Sequence, residues 1–332
     1  MMLRSLIPTL LLSPLIWMAP FTAALAGQPL PSWRAGDARQ RILAFVAAVT
    51  TPGAPGYVPP AERIAVFDND GTLWSEQPMY IQLAFAIDRA RELAAADPKL
   101  LESPAIARAV APGHDTDLRS LGMAGILELV GVTHAGLTTE AFSAVVRDWF
   151  ATARHPRTNL PYRAMVYLPM QELLAYLRSQ GFRTIIVSAG GTAFMRVVAE
   201  ELYGVPPEQV IGSLIKTEYV MKNGAVSIVR LPEPQLINDG AAKPQAIEAL
   251  IGRRPQAAFG NSDGDFEMLE WTTAGDGPRL GVLVHHDDAE REVAYDRASA
   301  TGRLDRGLSE ASQRGWTVVS MRRDWQQVFP DS

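Results

Sequence analysis

The chain has 332 residues, with 31 Lys and Arg against 36 Asp and Glu, and a formal net charge of −5. That balance excludes a basic footprint for nucleic acid, and the absence of cysteine excludes disulfides and thiolate chemistry. The length permits one large domain or a core that carries an insertion.

Residues 1–26 start with a single basic Arg4, continue as an apolar run and end in Ala24-Leu25-Ala26 before Gly27. This predicts a secretory signal peptide cleaved after Ala26, and a periplasmic or secreted mature protein. Pro8, Pro14 and Pro20 interrupt the run, which disfavours a retained membrane anchor. No later stretch is long and apolar enough to span a bilayer, so no stable membrane association is expected after cleavage.

"DARQRILAFVAAVT" at 37–50 predicts a helix, with Ile42, Leu43, Phe45, Val46 and Val49 on one face and Asp37 as N-cap. A loop rich in Pro and Gly follows at 51–63. Residues 64–67 are apolar on both faces, as a buried parallel strand is. From 79 to 162 the pattern is helical without a convincing strand, including "YIQLAFAIDRARELAAA" and "TTEAFSAVVRDWFATA".

Strands and helices then alternate. "PMQELLAYLRSQGF" is a helix opened by Pro169 and closed by Gly181. "RTIIVSAGG" is a buried strand that leads into the helix "TAFMRVVAEELYG". A hairpin is expected at 216–230, turning at Asn223-Gly224. "KPQAIEALIG" is a helix, and "QAAFG", "RLGVLVHH" and "WTVVSM" are strands. The expected fold is α/β, a Rossmann-like, doubly wound parallel sheet with a helical block inserted after its first strand. The core would comprise 27–78 and 163–332, with the insertion at 79–162.

In such sheets ligands bind beyond the carboxyl ends of the strands. Asp68 and Asp70 follow the first strand in "AVFDNDGTLW"; Ser188, Ala189, Gly190 and Gly191 end the second. Lys243 precedes a helix, and "GNSDGD" supplies Asn261, Asp263 and Asp265. Two acids, a hydroxyl, a lysine and an acidic loop would converge on one crevice. Each piece alone is commonplace; the order, the strand context and Gly71-Thr72 after Asp70 together are specific.

The sequence resembles the haloacid dehalogenase superfamily in its phosphatase branch, close to the phosphoserine- and phosphorylcholine-phosphatase-like enzymes. "DNDGT", "IIVSAGG", Lys243 and "GNSDGD" look like its four motifs, in order, between about 60 and 290. The inserted block sits where that family carries its cap domain. The resemblance implies an exported phosphomonoester hydrolase acting on a small soluble ester through an aspartyl-phosphate. Asp68 would be the nucleophile and Asp70 the acid and base, while Thr72, Ser188, Ala189, Gly190 and Lys243 would bind the phosphoryl group. Mg²⁺ would be held by Asp68, the backbone carbonyl of Asp70, Asn261 and Asp265. A dehalogenase lacks the second acid, because a departing halide needs no proton and a departing alkoxide does. A non-catalytic periplasmic binding protein on the same scaffold is the alternative from another class.

The family's fourth motif usually begins Gly-Asp, whereas this one begins Gly260-Asn261. A neutral ligand leaves two outcomes open: a weaker hold on the metal, or compensation by Asp263 or Asp265, with Asn261 and Asp265 the preferred pair. His285 and His286 look like a zinc cluster, but neighbours on a strand point to opposite faces; a polar strand end at the rim of the site is expected. Trp74, Glu76 and Tyr80 could form a pocket for a cationic head group. The plainer expectation is packing for the two rings and a solvated rim for Glu76.

Overall fold

Ile64–Phe67 (β1) is a wholly buried strand at the centre of a seven-stranded sheet in the computed structural model, which describes residues 29–111 and 121–331. The signal segment expected at 1–26 lies outside the described residues. The other strands are Arg183–Gly191 (β2), Val210–Lys222 (β3), Ala225–Leu236 (β4), Ala257–Gly260 (β5), Leu280–His285 (β6) and Thr317–Ser320 (β7). Their spatial order is β4-β3-β2-β1-β5-β6-β7. All neighbours are parallel except β3 and β4. The chain leaves β1 towards β2 on one side and returns to β5 on the other. That reversal opens a crevice at the carboxyl end of β1.

Alternation along the strands sends side chains to two separate cores. Ala65 and Phe67 join Ile186, Phe259 and Val284 on one face. Ile64 and Val66 join Ile185, Val187 and Leu283 on the other. The first face is covered by Asp37–Thr50 (α1), Leu168–Ser179 (α6) and Thr192–Tyr203 (α7). The second is covered by Ala242–Ile251 (α8) and Phe266–Thr273 (α9). The mostly parallel, helix-flanked sheet is the one the alternating pattern predicts.

Among the described residues four α-helices lie between β1 and α6: Ile81–Ala96 (α2), Pro104–Val110 (α3), Gly122–His134 (α4) and Thr139–Thr152 (α5). Leu83, Ile87 and Ala90 of α2 pack with Ile106, Ala109 and Leu129 in a core of their own. Ser103 caps α3 and Thr138 caps α5 through their hydroxyls. Asp37 does not cap α1: the N-cap is the extended Gly36, and Asp37 sits one position later, in the first turn. Its charge there still favours the helix through the dipole.

The hairpin is longer than its turn signal implied, because β3 begins as a parallel partner of β2 and then pairs antiparallel with β4. Asn223 and Gly224 have φ of 53° and 80°, the left-handed pair that a tight two-residue turn requires. Two short helices, Arg306–Glu310 (α10) and Met321–Asp324 (α11), complete the chain. Near its end, Arg34 N–H donates to the Asp324 carbonyl at 2.8 Å and Gln326 N–H to the Ser32 carbonyl at 2.7 Å. Trp33 and Trp325 meet edge to face at 6.0 Å. Among the described residues no helix is long and apolar enough to cross a membrane.

Candidate active site

The β1 backbone delivers Asp68 to the crevice, where its N–H donates to the Phe259 carbonyl of β5 at 2.9 Å. Lys243, in the first turn of α8, is buried, and its ammonium donates to Asp68 Oδ1 at 2.8 Å and to Asp265 Oδ1 at 2.6 Å. Asp265 Oδ2 accepts from the backbone N–H groups of Asn261 and Ser262 at 3.0 and 3.1 Å and from the Ser262 hydroxyl at 3.2 Å. Asp265 therefore ties the lysine to the loop that follows β5. A Cβ on Gly260 would overlap its carboxyl group.

Asp70 is partly open. The indole N–H of Trp74 donates to its Oδ1 at 2.8 Å, and its Oδ2 faces the end of β2, near Gly190. There the Gly190 N–H donates to Ser188 Oγ at 3.0 Å. The Ser188 carbonyl accepts from Asn238, and the Ala189 carbonyl from Ser213. Gln82, from the first turn of α2, accepts from the Gly191 N–H at 2.6 Å. The helical insertion thus touches the strand end directly.

Charge is unbalanced here. Burial, and then Asp265, push the Asp68 carboxyl well above the usual carboxylate range despite the lysine beside it. Burial also raises Asp70, against the Trp74 N–H and Lys243. Burial works against the Lys243 charge, yet Asp265 and Asp68 outweigh it and hold its pKa above the ordinary value. The raised acids and the raised lysine agree on one point: the carboxylates outnumber the cation. Such a site favours an added cation. Among the described residues no three His, Asp or Glu side chains are grouped to hold an ion. The available donors are the Asp68 carboxylate, the Asp70 backbone carbonyl and Asn261 Oδ1. An all-oxygen set with few protein ligands suits Mg²⁺, which keeps several waters.

The family model for haloacid dehalogenase-like hydrolases matches residues 65–270. The chain belongs to this family. The hydrolase is also similar in fold to a conserved functionally unknown protein from Anaerococcus prevotii DSM 20548. The two are 17% identical over 85% of this chain and 92% of that one, with a TM-score of 0.51. A protein with unknown function from Bordetella pertussis Tohama I is 17% identical over 78% of this chain and 98% of its own, at a TM-score of 0.49. A phosphoserine phosphohydrolase-like protein from Francisella tularensis subsp. tularensis SCHU S4 is 14% identical over 76% and 98%, at 0.38. No curated protein matches the hydrolase by sequence.

Several residues stand elsewhere than the sequence suggested. Asp263 takes no part in the crevice; it accepts from the backbone N–H groups of Asp305, Arg306 and Gly307 at 2.9–3.2 Å and caps α10. Asp265, expected at the metal, has both oxygens engaged by Lys243 and its own loop. Thr72 is buried and donates to Asn261 Oδ1 at 3.0 Å. Trp74, by contrast, is packed as the plainer expectation had it, against Phe150, Phe194 and Tyr203, and its face is not open to a cationic head group. Glu76 is not a solvated rim residue but is buried. Its Oε1 accepts from Asn261 Nδ2 and from the Tyr295 hydroxyl, each at 2.7 Å. Burial holds its carboxyl well above the usual range, with the Tyr295 hydroxyl working the other way.

The two histidines part, as neighbours on a strand should. His285 reaches Asp296 at 3.3 Å. His286 is buried rather than at a rim, and its Nε2 donates to the Gly71 carbonyl at 2.8 Å while Nδ1 faces Glu292. It pins the turn that carries the two acids. Sequence reasoning missed Gln82, Tyr295, Glu292 and this use of His286. A buried Glu directly after the first motif was the one local signal available.

Proposed function

We propose that the protein is an exported, Mg²⁺-dependent phosphomonoester hydrolase acting on a small soluble phosphate ester through an aspartyl-phosphate. The observation that carries this reading is Asp70. It stands two residues after Asp68, at the crevice, with its Oδ2 facing the end of β2 near Gly190 and its carboxyl raised by burial. A hydrolase expelling an alkoxide needs a proton donor there; a dehalogenase does not.

Lys243 holds Asp68 Oδ1, and Oδ2 carries no hydrogen bond from the described residues. An Asp68 oxygen attacks phosphorus, the new O–P bond forms and the ester P–O bond breaks. Asp70 gives its proton to the leaving oxygen. Water then attacks the same phosphorus with Asp70 taking its proton, which releases inorganic phosphate and restores Asp68. Ser188 and the Ala189 N–H bind phosphoryl oxygens, the Gly190 and Gly191 N–H groups being taken by Ser188 Oγ and Gln82, and Lys243 offsets the charge that develops. Asp68, the Asp70 carbonyl and Asn261 would hold Mg²⁺, which would supply the positive charge that lets a carboxylate approach a phosphate dianion. Asp265 fixes the lysine and the loop. Residues 79–162 act as the cap over the crevice, and the contact of Gln82 with Gly191 supports this.

The test is phosphate release from a panel of soluble phosphomonoesters by purified protein beginning at Gly27, with Mg²⁺ and with EDTA. Release that EDTA abolishes is the expected result. Ligand binding without release would establish the binding-protein reading, and halide release from 2-haloacids the dehalogenase reading. N-terminal sequencing of exported protein should begin at Gly27; a start at Met1 overturns the cleavage site.

A further inference from the structure

We propose that Gln82 is a specificity-determining residue, whose Nε2 donates to an acceptor oxygen carried by the leaving group, so that the site takes a phosphorylated polyol. This names the substrate class of the proposed hydrolysis and rests on that reading.

Gln82 comes from the first turn of α2, in the insertion, and is half-buried at the end of β2. Its Oε1 accepts from the Gly191 N–H at 2.6 Å. A backbone N–H only donates, so the amide oxygen is the atom that meets it and Nε2 is left as a donor. Nε2 carries no hydrogen bond from the described residues.

The place where a Cβ on Gly190 would stand is 3.3 Å from Asp70 Oδ2, 3.4 Å from Ser188 Oγ and 3.5 Å from Gln82 Oε1. The general acid, the phosphoryl-binding hydroxyl and the amide thus border one small space. A leaving oxygen that takes the Asp70 proton within this space stands close to the amide, and an oxygen on the second carbon of the leaving group reaches it. Gly191 makes the room. A Cβ there would stand 2.5 Å from Gln82 Nε2 and 3.1 Å from Oε1. Its φ of −71° is open to any residue, so the amide, rather than the backbone, is what requires glycine at this place.

The amide is a neutral donor, and its neighbours narrow what it can meet. Lys243 is engaged by Asp68 and Asp265, so it is not free for a carboxylate on the leaving group. Trp74 has no open face for a cationic one. An uncharged acceptor oxygen is the group that an amide N–H matches, and a site built to bond such a group discriminates against an analogue that lacks it.

2-Methoxyethyl phosphate and butyl phosphate have leaving groups of equal length that differ by an ether oxygen, which only accepts, in place of a methylene. Gln82→Met keeps the length of the side chain and removes the amide. The ratio of kcat/KM for the ether ester over the alkyl ester should fall about tenfold in this variant. Gly191→Ala displaces the amide without altering it, and should lower the same ratio. A merely structural tie between the insertion and β2 would slow both esters alike and leave the ratio at its wild-type value. An unchanged ratio in Gln82→Met, or in Gly191→Ala, therefore overturns the role given to Gln82. If no ester is hydrolysed by wild-type protein, the hydrolase reading fails by itself. The dissociation constants of the same two esters, read by calorimetry, then decide in place of turnover: their ratio should shift about tenfold between wild type and Gln82→Met. An unchanged ratio, or no binding of either ester to wild-type protein, overturns the role of Gln82.

Discussion

Replacing Lys243 by Met in metal-free protein takes away the ammonium that bonds Asp68 at 2.8 Å and Asp265 at 2.6 Å. Asp265 keeps the donors of its own loop; Asp68 keeps no side-chain donor. Breaking a buried ion pair from one side costs about 3–5 kcal/mol. Unfolding entropy near 2.1 cal/mol/K per residue gives a chain of this size about 0.6 kcal/mol per kelvin. The melting temperature at about pH 10, where Asp68 is ionised in the intact protein, should therefore fall by about 5–8 °C. The sign of the pH dependence comes from the direction of the shift. Asp68 is already raised in the intact protein by burial and by Asp265, and loss of the lysine raises it further. A carboxyl whose folded pKa exceeds its unfolded value, near 3.9, binds an extra proton when folded, so stability falls as pH rises through that window. Asp68 stands at about 8 with the lysine and higher without it, so the gap between wild type and variant should narrow as pH is lowered from about 10 to about 8, where a proton replaces the ammonium. Melting curves in EDTA at several pH values read this directly. A gap under about 2 °C at about pH 10, or one that does not shrink on acidification to about pH 8, would refute the account of one ammonium shared between two buried acids.

Asp68→Asn should cut phosphate release by at least about a thousandfold while the melting temperature stays level or rises, since Lys243 then serves Asp265 alone. Release near the wild-type rate would put the nucleophile elsewhere. Asp263→Ala strips the cap from α10 and should cost about 1–2 kcal/mol by chemical denaturation. The Mg²⁺ concentration for half-maximal activity should not move; a shift would return Asp263 to the metal site. Burial pushes His134 down to about 3, so the unfolded chain takes up the proton first and stability drops as pH falls below about 6.5. His134→Leu should lessen the loss between pH 7 and pH 5 by about 2 kcal/mol, and equal losses in both proteins would contradict it.

What the sequence made legible was whatever the chain writes locally. β1 and β5 have no polar residue, and β2 and β6 carry the apolar stretches Ile185–Val187 and Leu280–Val284, which mark them as covered on both faces. Asp68, Asp70, Ser188 and Lys243 could be assigned to one crevice because each ends a strand or opens a helix in that order. Asp263, the less favoured candidate in its loop, could not be placed that way: only α10, 42 residues later, gives its carboxyl three backbone partners. Glu76 looked like a rim residue for the same reason: Tyr295 lies 219 residues away. Strand alternation separated His286 from His285 without saying which faces the core, and its burial against Gly71 depends on the turn after another strand. Periodicity reports which face is covered. It carries no information about which distant polar group arrives to meet a buried one.

The antiparallel contact between residues 32–34 and 324–326 has a consequence for how such a chain is made. Arg34 bonds to Trp325 across 291 residues of sequence, and α1 lies against β7, the last strand to emerge. During vectorial synthesis α1 therefore appears long before β7. Ile42, Phe45, Val46 and Val49 must pass that interval with one flank uncovered, and Trp33 must wait for Trp325. Closing so long a loop carries little more entropic cost than closing one of half the length, so the delay is set by the arrival of the last residues rather than by the search. The earliest part of the chain is thus where a holding chaperone would find an apolar stripe for longest.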